Sequence, residues 1–354
     1  MSDPHTASFW AVVMAGGQGT RFWPASRPDR PKQLLPLAPG GRSLLRATVE
    51  RLHGLVPPER ILVVTTSTIA EAVRAELPAL PERNVLVEPV GRNTAPCIGW
   101  AARIVEHREP RGTMAVLPAD HHIGDEETFR TTLHRALEHA RRSGDLTTVG
   151  IRPHRPETGY GYIELGERIG EGVHRALRFV EKPDAQRAEA YLRAGRFLWN
   201  SGMFFLRVDA LAAEVERQLP ALHVGLERIA SGEPIERVYP ELPNVSIDVG
   251  IMEGARQVAV IPGEFGWSDV GSWASAWELA EHDDRGNGAP EGTVLIDCEG
   301  CLVRAPRGKV VALVGLRDVV VVDEGDALLI VPRERAQQVR QVVERLPARD
   351  EERR

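Results

Sequence analysis

Phe9-Trp-Ala-Val-Val-Met14 runs directly into Ala15-Gly-Gly-Gln-Gly-Thr-Arg-Phe-Trp-Pro-Ala-Ser-Arg27. The first six residues contain no charge, which predicts a buried strand. The glycines behind it, Gly16, Gly17 and Gly19, allow positive φ and let backbone N–H groups approach anionic oxygens. Nearby Arg21 and Lys32 add positive charge. The stretch therefore predicts an anion-binding loop at the carboxyl end of the first strand.

Short apolar runs and helical patterns alternate after this loop. The runs at Ile61–Thr65, Val85–Val87 and Met114–Leu117 are predicted strands. Helical spacing of apolar residues predicts helices over residues 44–55, Ile69–Leu77, Thr94–Glu106 and Thr128–Arg141. Alternation of this kind predicts an α/β fold with a Rossmann-like, mainly parallel sheet that is covered on both faces. Ligands bind such sheets beyond the carboxyl ends of the strands.

The pattern changes after about residue 277. A polar, glycine-rich stretch at Asp283–Glu291 predicts a linker. Short β-like runs then predict a small β-rich domain, at Thr293–Ile296, Lys309–Val314, Val319–Val322 and Ala327–Val331. Arg333–Leu346 predicts a closing amphipathic helix, whose apolar face we expect to pack against a partner subunit or the catalytic domain. The predicted division is a catalytic domain at residues 1–282 and a β-rich domain with its helix at residues 283–354.

Cys298-Glu-Gly-Cys301 is a lone CxxC motif inside the β-rich part. A zinc site needs two further ligands, and no second pair of this kind follows in the sequence. Glu299-Gly300 is typical of the centre of a tight hairpin turn between two β-runs. We therefore expect a structural role for both cysteines.

Composition limits the class of protein. The chain has 354 residues, 42% hydrophobic and 27% charged, with a formal net charge of -6, which is typical of a globular protein and gives no basic stripe for nucleic acid. No stretch approaches the roughly 20 apolar residues that span a bilayer. Three cysteines indicate a reducing compartment, and residues 1–8 lack the layout of a signal peptide. We expect a cytoplasmic protein with neither a nucleic-acid nor a membrane partner.

Two familiar phosphate-binding motifs do not fit the loop. No GxxxxGK[ST] pattern is present in the sequence. A GxGxxG dinucleotide fingerprint starting at Gly17 would require a third glycine where Phe22 stands, which argues against a dehydrogenase. His121 and His122, beside Asp120, could suggest a transition-metal site, but adjacent residues of an extended segment point in opposite directions. We expect both histidines to be structural.

The loop, its continuation Phe22-Trp-Pro-Ala-Ser-Arg27 and Pro31-Lys-Gln33 together resemble the signature of the nucleotide-diphospho-sugar pyrophosphorylases, in the mannose-1-phosphate guanylyltransferase branch. The resemblance covers nearly the whole chain. It implies the nucleotide-diphospho-sugar transferase fold and the formation of GDP-mannose and pyrophosphate from GTP and mannose 1-phosphate. It also implies that Arg21 and Lys32 contact the triphosphate catalytically, beside the nucleotide-binding residues Gly16, Gly17, Gly19 and Thr20.

Glu88-Pro-Val-Gly-Arg-Asn-Thr-Ala-Pro96 looks like the base-binding segment of that branch. The resemblance assigns nucleotide contacts to Glu88, Arg92, Asn93 and Thr94. A carboxylate, an amide and free N–H groups can complement the donors and the acceptor on the edge of guanine. Asn93 or Thr94 could equally be a simple helix N-cap.

Leu117-Pro-Ala-Asp120 ends the fourth predicted strand, and Gly266-Trp-Ser-Asp-Val-Gly-Ser-Trp273 supplies Asp269 far along the chain. The resemblance implies that Asp120 and Asp269 hold the divalent metal. Mg²⁺ prefers one or two carboxylates plus waters and phosphate oxygens, so a sparse pair suffices. The alternative for each aspartate is a capping or loop carboxylate.

Three further segments line the sugar-phosphate pocket by resemblance: Thr158–Glu164, Phe179–Pro183 and Trp199–Gly202. Lys182 would contact the phosphate catalytically, Glu181 and Asn200 would hold sugar hydroxyls, and Gly161 would contribute a backbone contact. A polyol needs acceptors and amides, and its phosphate needs a cation. Glu181 and Lys182 could also be an ordinary surface ion pair.

The implied reaction is an in-line attack by the phosphate oxygen of mannose 1-phosphate on the α-phosphorus of GTP. The nucleophile is already an anion near neutral pH, so no general base is needed, and cations and alignment lower the barrier. The alternatives are the same chemistry with another hexose 1-phosphate or nucleotide, and a non-catalytic nucleotide-sugar sensor on the same fold. A homodimer is a further expectation.

Overall fold

The computed structural model describes residues 9–347. The segment at residues 1–8, on which the expectation of no signal peptide depends, lies outside the described residues. The chain forms two compact units. The first unit comprises the described residues up to Gly16 together with Thr48–Ala119 and Ile123–Trp267. The second unit comprises Gly17–Ala47, Asp120–His122 and the described residues from Ser268 onward.

The strands within residues 9–347 are β1 Phe9–Ala15, β2 Ile61–Thr66, β3 Val85–Glu88, β4 Thr113–Pro118, β5 His122–Ile123, β6 Leu146–Ile151, β7 Tyr162–Gly170, β8 Val173–Val180, β9 Phe197–Arg207, β10 Val258–Gly263, β11 Trp267–Ser268, β12 Val294–Ile296, β13 Leu302–Arg304, β14 Ala312–Val314, β15 Val319–Asp323 and β16 Leu328–Pro332. The α-helices of the same range are α1 Leu44–Glu50, α2 Ala70–Glu76, α3 Thr94–Arg108, α4 Glu126–Ser143, α5 Ala185–Ala194, α6 Val208–Gln218, α7 Pro220–Ala230, α8 Ile235–Val238, α9 Ile247–Gly250, α10 Trp273–Glu278 and α11 Val339–Arg345.

The first unit is built on a nine-stranded sheet with the order β3-β2-β1-β4-β9-β6-β10-β8-β7. Neighbouring strands are parallel from β3 to β4 and between β6 and β10. Only β9 and β8 run against the others within this sheet. The predicted α/β fold with a mainly parallel sheet is therefore confirmed, and the carboxyl ends of β1, β3 and β4 lie at one edge.

Packing of this sheet follows from the apolar runs that predicted its strands. Residues of β1 such as Val12 and of β4 such as Val116 are 0% exposed, which fits strands buried on both faces. Their core continues into the helices through Ile98 of α3 and Leu222 of α7. A rigid core of this kind fixes the strand ends, where the loops of interest begin.

Strands β12 to β15 in the second unit pair in parallel across successive turns of the chain, and β16 then pairs antiparallel with β15. Strand β12 pairs in parallel with β14, and β13 pairs in parallel with β15. The register is constant, because Val294 lies beside Ala312, Glu299 beside Arg317 and Leu302 beside Val320, each pair 18 residues apart. Repeated parallel pairing at one offset is the geometry of a short β-helix. The predicted β-rich domain is thus confirmed, and its strand pairing is of a kind that the sequence analysis did not predict.

The predicted hairpin at Glu299-Gly300 is wrong. Strands β12 and β13, on either side of it, belong to different sheets. Residues 298–301 therefore form a corner of the β-helix, where the chain passes from one sheet to the next. Asp297 and Gly300 adopt positive φ at this corner (53° and 65°), and so do Gly315 and Asp318 one coil later (68° and 51°). Glycine and aspartate tolerate this conformation, so either residue serves at equivalent corners. Cys298 and Cys301 are buried free thiols beneath the corner.

The closing helix is shorter than predicted. Residues Arg333–Gln338 form a 3₁₀ turn, and the α-helix begins only at Val339. Its predicted apolar face is nevertheless buried, with Ala336 and Val339 each 1% exposed. That face packs in the core of the second unit, against residues that include Phe22, Val270 and Trp273. These three residues lie within residues 1–282, the predicted catalytic domain. Of the two expected packing partners of the helix, the structure therefore shows the catalytic domain.

Candidate functional site

In the glycine loop after β1, the backbone at position 19 accommodates only glycine. Gly19 adopts φ 64°, and a Cβ built on it would lie 2.5 Å from the Cβ of Lys32. Thr20 begins the 3₁₀ turn that follows, and Phe22 ends it as a core residue that is 1% exposed. The buried ring anchors the turn, while Gly17 remains exposed with no atom within 4 Å of a Cβ built on it. The loop therefore offers accessible backbone close to Lys32.

Lys32 joins the two predicted metal-binding segments inside the second unit. Its side chain is 8% exposed, and its Nζ lies 2.7 Å from Asp120 Oδ2 and 2.6 Å from the backbone carbonyl oxygen of Asp269. Burial alone would raise the pKa of Asp120, but the charge of Lys32 and its hydrogen bond outweigh this, so the pKa is lowered. The carboxylate is therefore ionised near neutral pH, and a single cation spans both segments.

Asp269 is positioned by a turn that the core holds in place. Val270 follows it with φ 45° and is 0% exposed, and its N–H donates to Ser268 Oγ at 3.1 Å. Trp273, also 0% exposed, donates from Nε1 to the Trp23 carbonyl at 3.0 Å. The two buried side chains fix the segment on either side of Gly271, whose missing side chain leaves room for the Asp269 carboxylate.

Arg21 does not join this cluster. Its side chain is exposed, and its Nη1 donates to Gln337 Oε1 at 3.0 Å, in the 3₁₀ turn near the C-terminus. The structure therefore brings Lys32, Asp120 and Asp269 together and leaves Arg21 paired elsewhere in the second unit.

The predicted base-binding segment lies in the first unit, between β3 and α3. Glu88 is 5% exposed and accepts a hydrogen bond from the Tyr239 hydroxyl. Burial raises the pKa of Glu88, and the hydrogen bond from Tyr239 opposes that rise. Arg92 donates from Nη2 to the Pro240 carbonyl. The two charged residues of the segment are therefore held by adjacent residues of one distant stretch.

Asn93 and Thr94 have structural contacts at the start of α3. Asn93 adopts φ 67°, and its side-chain oxygen accepts from the Thr94 N–H at 2.9 Å. Thr94 Oγ1 accepts from the Ile247 N–H at 2.8 Å, and the Ala95 N–H donates to the Val245 carbonyl at 3.1 Å. The capping alternative for Asn93 therefore has a contact that supports it.

The four residues predicted for the sugar-phosphate pocket come together in the first unit. A Cβ built on Gly161 would lie 2.9 Å from Glu181 Oε2 and 3.4 Å from the Cβ of Asn200. The Asn200 N–H donates to the Gly161 carbonyl at 2.8 Å. Lys182, at φ 39°, places Nζ 2.6 Å from Glu181 Oε1, and the lysine side chain is 63% exposed. The cluster combines a cation, a carboxylate and an amide beside the backbone of Gly161, which has no side chain.

Asp248 is part of the same cluster. Asn200 Nδ2 donates to Asp248 Oδ1 at 2.6 Å, which leaves Asn200 Oδ1 to accept from the Gly202 N–H at 3.1 Å. Burial raises the pKa of Asp248, against the lowering effect of the Asn200 hydrogen bond. Asp248 thus fixes which face of the amide points toward its neighbours.

A family model described as a nucleotidyl transferase matches residues 10–286. The chain belongs to the nucleotidyl transferase family. A second model, described as a MannoseP isomerase/GMP-like beta-helix domain, matches residues 291–346 of this nucleotidyl transferase. That match agrees with the parallel coils at β12 to β15. No helix among the described residues is both long and apolar enough to cross a membrane.

Relatives of this nucleotidyl transferase include the mannose-1-phosphate guanylyltransferase of Escherichia coli (strain K12), 38% identical over 359 residues, which cover 97% of this chain and 74% of the relative. The mannose-1-phosphate guanylyltransferase of Klebsiella pneumoniae is 38% identical over 347 residues, covering 94% and 73%. A crystal structure described as a mannose-1-phosphate geranyltransferase from Thermus thermophilus has 44% identity and a TM-score of 0.88, covering 96% of this chain and 99% of that one. The predicted resemblance to the mannose-1-phosphate guanylyltransferase branch is confirmed.

Sequence reasoning missed one stretch of this nucleotidyl transferase, residues 239–248, which we call the clasp. It supplies Tyr239 to Glu88, the Pro240 carbonyl to Arg92, and Asp248 to Asn200. One signal was present in the sequence, because Ser246 is a typical N-cap and accepts from the Val249 N–H at the start of α9. Nothing in that pattern indicated which distant residues the clasp would contact.

Proposed function

We propose that this chain transfers the guanylyl group of GTP to mannose 1-phosphate, giving GDP-mannose and releasing pyrophosphate. The observation that carries the proposal is the Lys32 ammonium held between Asp120 and the Asp269 carbonyl, beside an exposed glycine loop. The sequence relatives named above supply the substrate pair. The nucleotidyl transferase family match favours a nucleotidyl group over the geranyl group in the description of the Thermus thermophilus structure.

The glycine loop and Lys32 would hold the triphosphate. Backbone N–H groups of Gly16, Gly17 and Gly19, with Thr20, would meet the phosphate oxygens, and Lys32 would place a full positive charge beside them. Arg21 is exposed, and we propose that it exchanges Gln337 for the triphosphate when GTP binds. These cations reduce the repulsion between two anionic substrates, which is the main obstacle to the reaction.

We propose Asp120 and Asp269 as the ligands of a magnesium ion, and the residues present fit one. Both segments are within reach of one lysine ammonium, and Asp120 is ionised. Within residues 9–347 no group of three or more His, Cys, Asp or Glu forms a site, which fits an ion that needs only one or two carboxylates. When bound, the ion would neutralise charge on the phosphate oxygens. Chelation followed by return of Mg²⁺ should abolish and restore turnover; turnover that survives chelation contradicts this assignment.

The cluster in the first unit would bind mannose 1-phosphate. Lys182 is exposed enough to reach a phosphate, while Glu181, Asn200 and the Gly161 backbone would bind hydroxyls of the sugar. The nucleophile is the phosphate oxygen of this substrate, so these residues align it rather than deprotonate it. In the base segment, Glu88, Arg92, Asn93 and Thr94 would bind guanine.

The direct test offers the protein mannose 1-phosphate and Mg²⁺ with each of GTP, ATP, UTP and dTTP, and measures pyrophosphate. We expect release with GTP and little with the others. Glucose 1-phosphate replaces the sugar substrate in a parallel series. No release with any pair would refute the proposal, and release with another pair would assign the same chemistry to different substrates.

We further propose a homodimer formed through the outer face of β12 and β14. Val294, Ile296 and Val314 point outward there and are 46%, 50% and 64% exposed, while Leu313 on the opposite face is buried. Adjacent exposed aliphatic side chains commonly mark an interface. Light scattering should give the mass of a dimer for the wild type and of a monomer for Val314→Glu. A monomeric wild type, or a variant that stays dimeric, contradicts the proposal.

We also propose that residues 1–282 and 283–354 are the functional division of the chain, supported by family models that end at residue 286 and begin at residue 291. A cytoplasmic location is likewise a proposal, supported by the three free cysteines of the described chain. Fractionation of cells that express the full chain would test the location, and recovery outside the cytoplasm would contradict it.

A further inference from the structure

The clasp forms hydrogen bonds with both ends of the Glu88–Arg92 stretch. Tyr239 donates to Glu88 at the first residue, and the Pro240 carbonyl accepts from Arg92 at the last. Tyr239 is itself fixed, because it is 0% exposed and its ring meets the edge of Trp100 at 5.7 Å between centroids. A segment fixed in this way loses little conformational entropy when a ligand binds.

The two carboxylate oxygens of Glu88 have different surroundings. Oε1 accepts the hydrogen of the Tyr239 hydroxyl. Oε2 lies on the side of Gly16, where a built Cβ would meet it at 3.6 Å. Gly16 is the first residue after β1 and is exposed, so Oε2 faces the start of the glycine loop at the carboxyl edge of the sheet. One oxygen is thus committed to Tyr239, and the other is directed toward the edge where ligands bind.

The charge of Glu88 depends on Tyr239. Burial favours the neutral acid by raising the pKa of Glu88, and the Tyr239 hydrogen bond favours the carboxylate. In the described chain the titratable groups that face Glu88 are Tyr239 and, from α3, Cys97. Burial raises the pKa of both, so both are neutral near pH 7. Tyr239 is therefore a neutral donor whose hydrogen bond opposes protonation of a buried carboxyl group.

We propose that Tyr239 is a positioning residue for base selection: its hydroxyl holds Glu88 as the acceptor for the N1–H and 2-amino groups of guanine. The inference rests on the proposed function. Guanine presents these two donors side by side, hypoxanthine lacks the 2-amino group, and adenine has an acceptor at N1. A fixed acceptor therefore distinguishes the three bases, since a site built for hydrogen bonds rejects a base that leaves it unpaired.

The test is Tyr239→Phe, which keeps the ring and its contact with Trp100 and removes only the hydroxyl. We expect the KM for GTP to rise about tenfold, the effect of one hydrogen bond to a charged group. The KM for ITP should rise less, because hypoxanthine has one donor fewer to lose, so the preference for GTP over ITP narrows. The kcat at saturating GTP and the KM for mannose 1-phosphate should stay within about twofold of wild type.

A pH series adds a readout that a merely structural role would not move. Without its donor, the pKa of Glu88 should rise further, so as the pH is lowered the KM for GTP in the variant should begin to increase at a higher pH than in wild type. Glu88→Gln should raise the KM for GTP at least as much and remove this dependence. Equilibrium binding of GTP and ITP by calorimetry gives the same comparison without turnover.

Tyr191→Phe is the matched control, because it removes the hydroxyl of another tyrosine, one stacked on Phe197 in the same unit. It should leave the GTP to ITP preference unchanged. A Tyr239→Phe enzyme with the wild-type preference and pH profile overturns the inference, and so does an equal rise in KM for GTP and mannose 1-phosphate. If the wild type makes no pyrophosphate from these substrates, the proposed function fails instead, so the two failures are distinguishable.

Discussion

Lys32→Met would separate the structural and catalytic contributions of the residue at the centre of the second unit's cluster. Methionine keeps the apolar stem of the side chain, which is 8% exposed, and removes the ammonium. Two contacts disappear, at 2.7 Å to Asp120 Oδ2 and at 2.6 Å to the Asp269 carbonyl. Hydrogen bonds to a charged group contribute about 1.5–3 kcal/mol each. The substitution should therefore affect both the free energy of unfolding and turnover.

The stability loss should be smaller than the sum of those contacts. The Asp120 side chain is 33% exposed, so water screens part of the interaction. Methionine also recovers the cost of burying an ammonium, which for a buried ion can exceed the attraction it gains. We expect a net loss of about 2 kcal/mol in the free energy of unfolding, read as a lower urea midpoint with an unchanged m-value.

The loss of turnover should be larger. An ammonium that stabilises charge developing on phosphate oxygens contributes about 10²–10³ in rate, by analogy with other positioned donors. Single-turnover and steady-state pyrophosphate release at saturating GTP and mannose 1-phosphate measure this directly. Because about 2 kcal/mol of destabilisation leaves a domain of ordinary stability folded, the lost rate cannot be assigned to unfolded protein.

Lys309→Met is the matched control. Lys309 pairs with Asp323 in the β-helix, with 47% of the lysine side chain exposed. Because the Asp323 side chain is only 8% exposed, removal of Lys309 should also lower the free energy of unfolding, but it should leave turnover intact. If Lys32→Met loses stability but keeps its turnover within about threefold of wild type, Lys32 is a structural residue and the reasoning about the triphosphate is wrong.

Three other substitutions test separate parts of the structure. Lys182→Ala should raise the KM for mannose 1-phosphate far more than that for GTP, and equal effects in steady-state kinetics would remove Lys182 from the sugar-phosphate site. Gly19→Ala should cost about 2–4 kcal/mol in urea unfolding, because its φ of 64° and a Cβ at 2.5 Å from that of Lys32 combine strain with overpacking; near-neutral stability would contradict this. The hydrogen bond from His139 outweighs burial and lowers the pKa of Asp145. Asp145 therefore adds stability above about pH 4, and this stability is lost as pH falls through its lowered pKa. In Asp145→Asn, the free energy of unfolding should fall less steeply as the pH is lowered below about 4. An unchanged dependence on pH in that range would exclude this contribution.

Hydrophobic patterning predicted much of the first unit from sequence. The strands at Phe9, Ile61, Val85 and Met114 appear within one or two residues of their predicted bounds, because each is a short charge-free run buried on both faces. Antiparallel β9 was not predicted, since inserting a reversed strand between β4 and β6 depends on long-range pairing and not on local pattern. Element type follows from local periodicity, whereas strand order is decided by the whole chain.

Strand pairing in the β-helix also could not be predicted from local sequence pattern. Glu299-Gly300 has the composition of a hairpin turn, and positive φ at Gly300 agrees with a turn. Composition alone cannot distinguish a turn that reverses the chain from a corner that continues it. The distinction lies in the register, where Val294 pairs with Ala312 and Leu302 with Val320. Where one corner has aspartate, the equivalent corner one turn later has glycine, and the reverse. The repeat is therefore clear in the backbone geometry and weak in the amino-acid sequence.

The clasp explains why residue lists taken from motifs are incomplete. A motif identifies side chains that are adjacent in sequence, such as Glu88 and Arg92, but a buried charged group requires a partner, and that partner can come from anywhere in the chain. Here it comes from Tyr239 and Pro240, and the same stretch continues to Asp248, which holds Asn200. Because one short segment contacts both clusters of the first unit, a change in it should alter the binding of both substrates. A substitution at Tyr239 can remain selective for GTP only if the rest of the clasp stays in place, which is why the isosteric phenylalanine, rather than alanine, is the informative change.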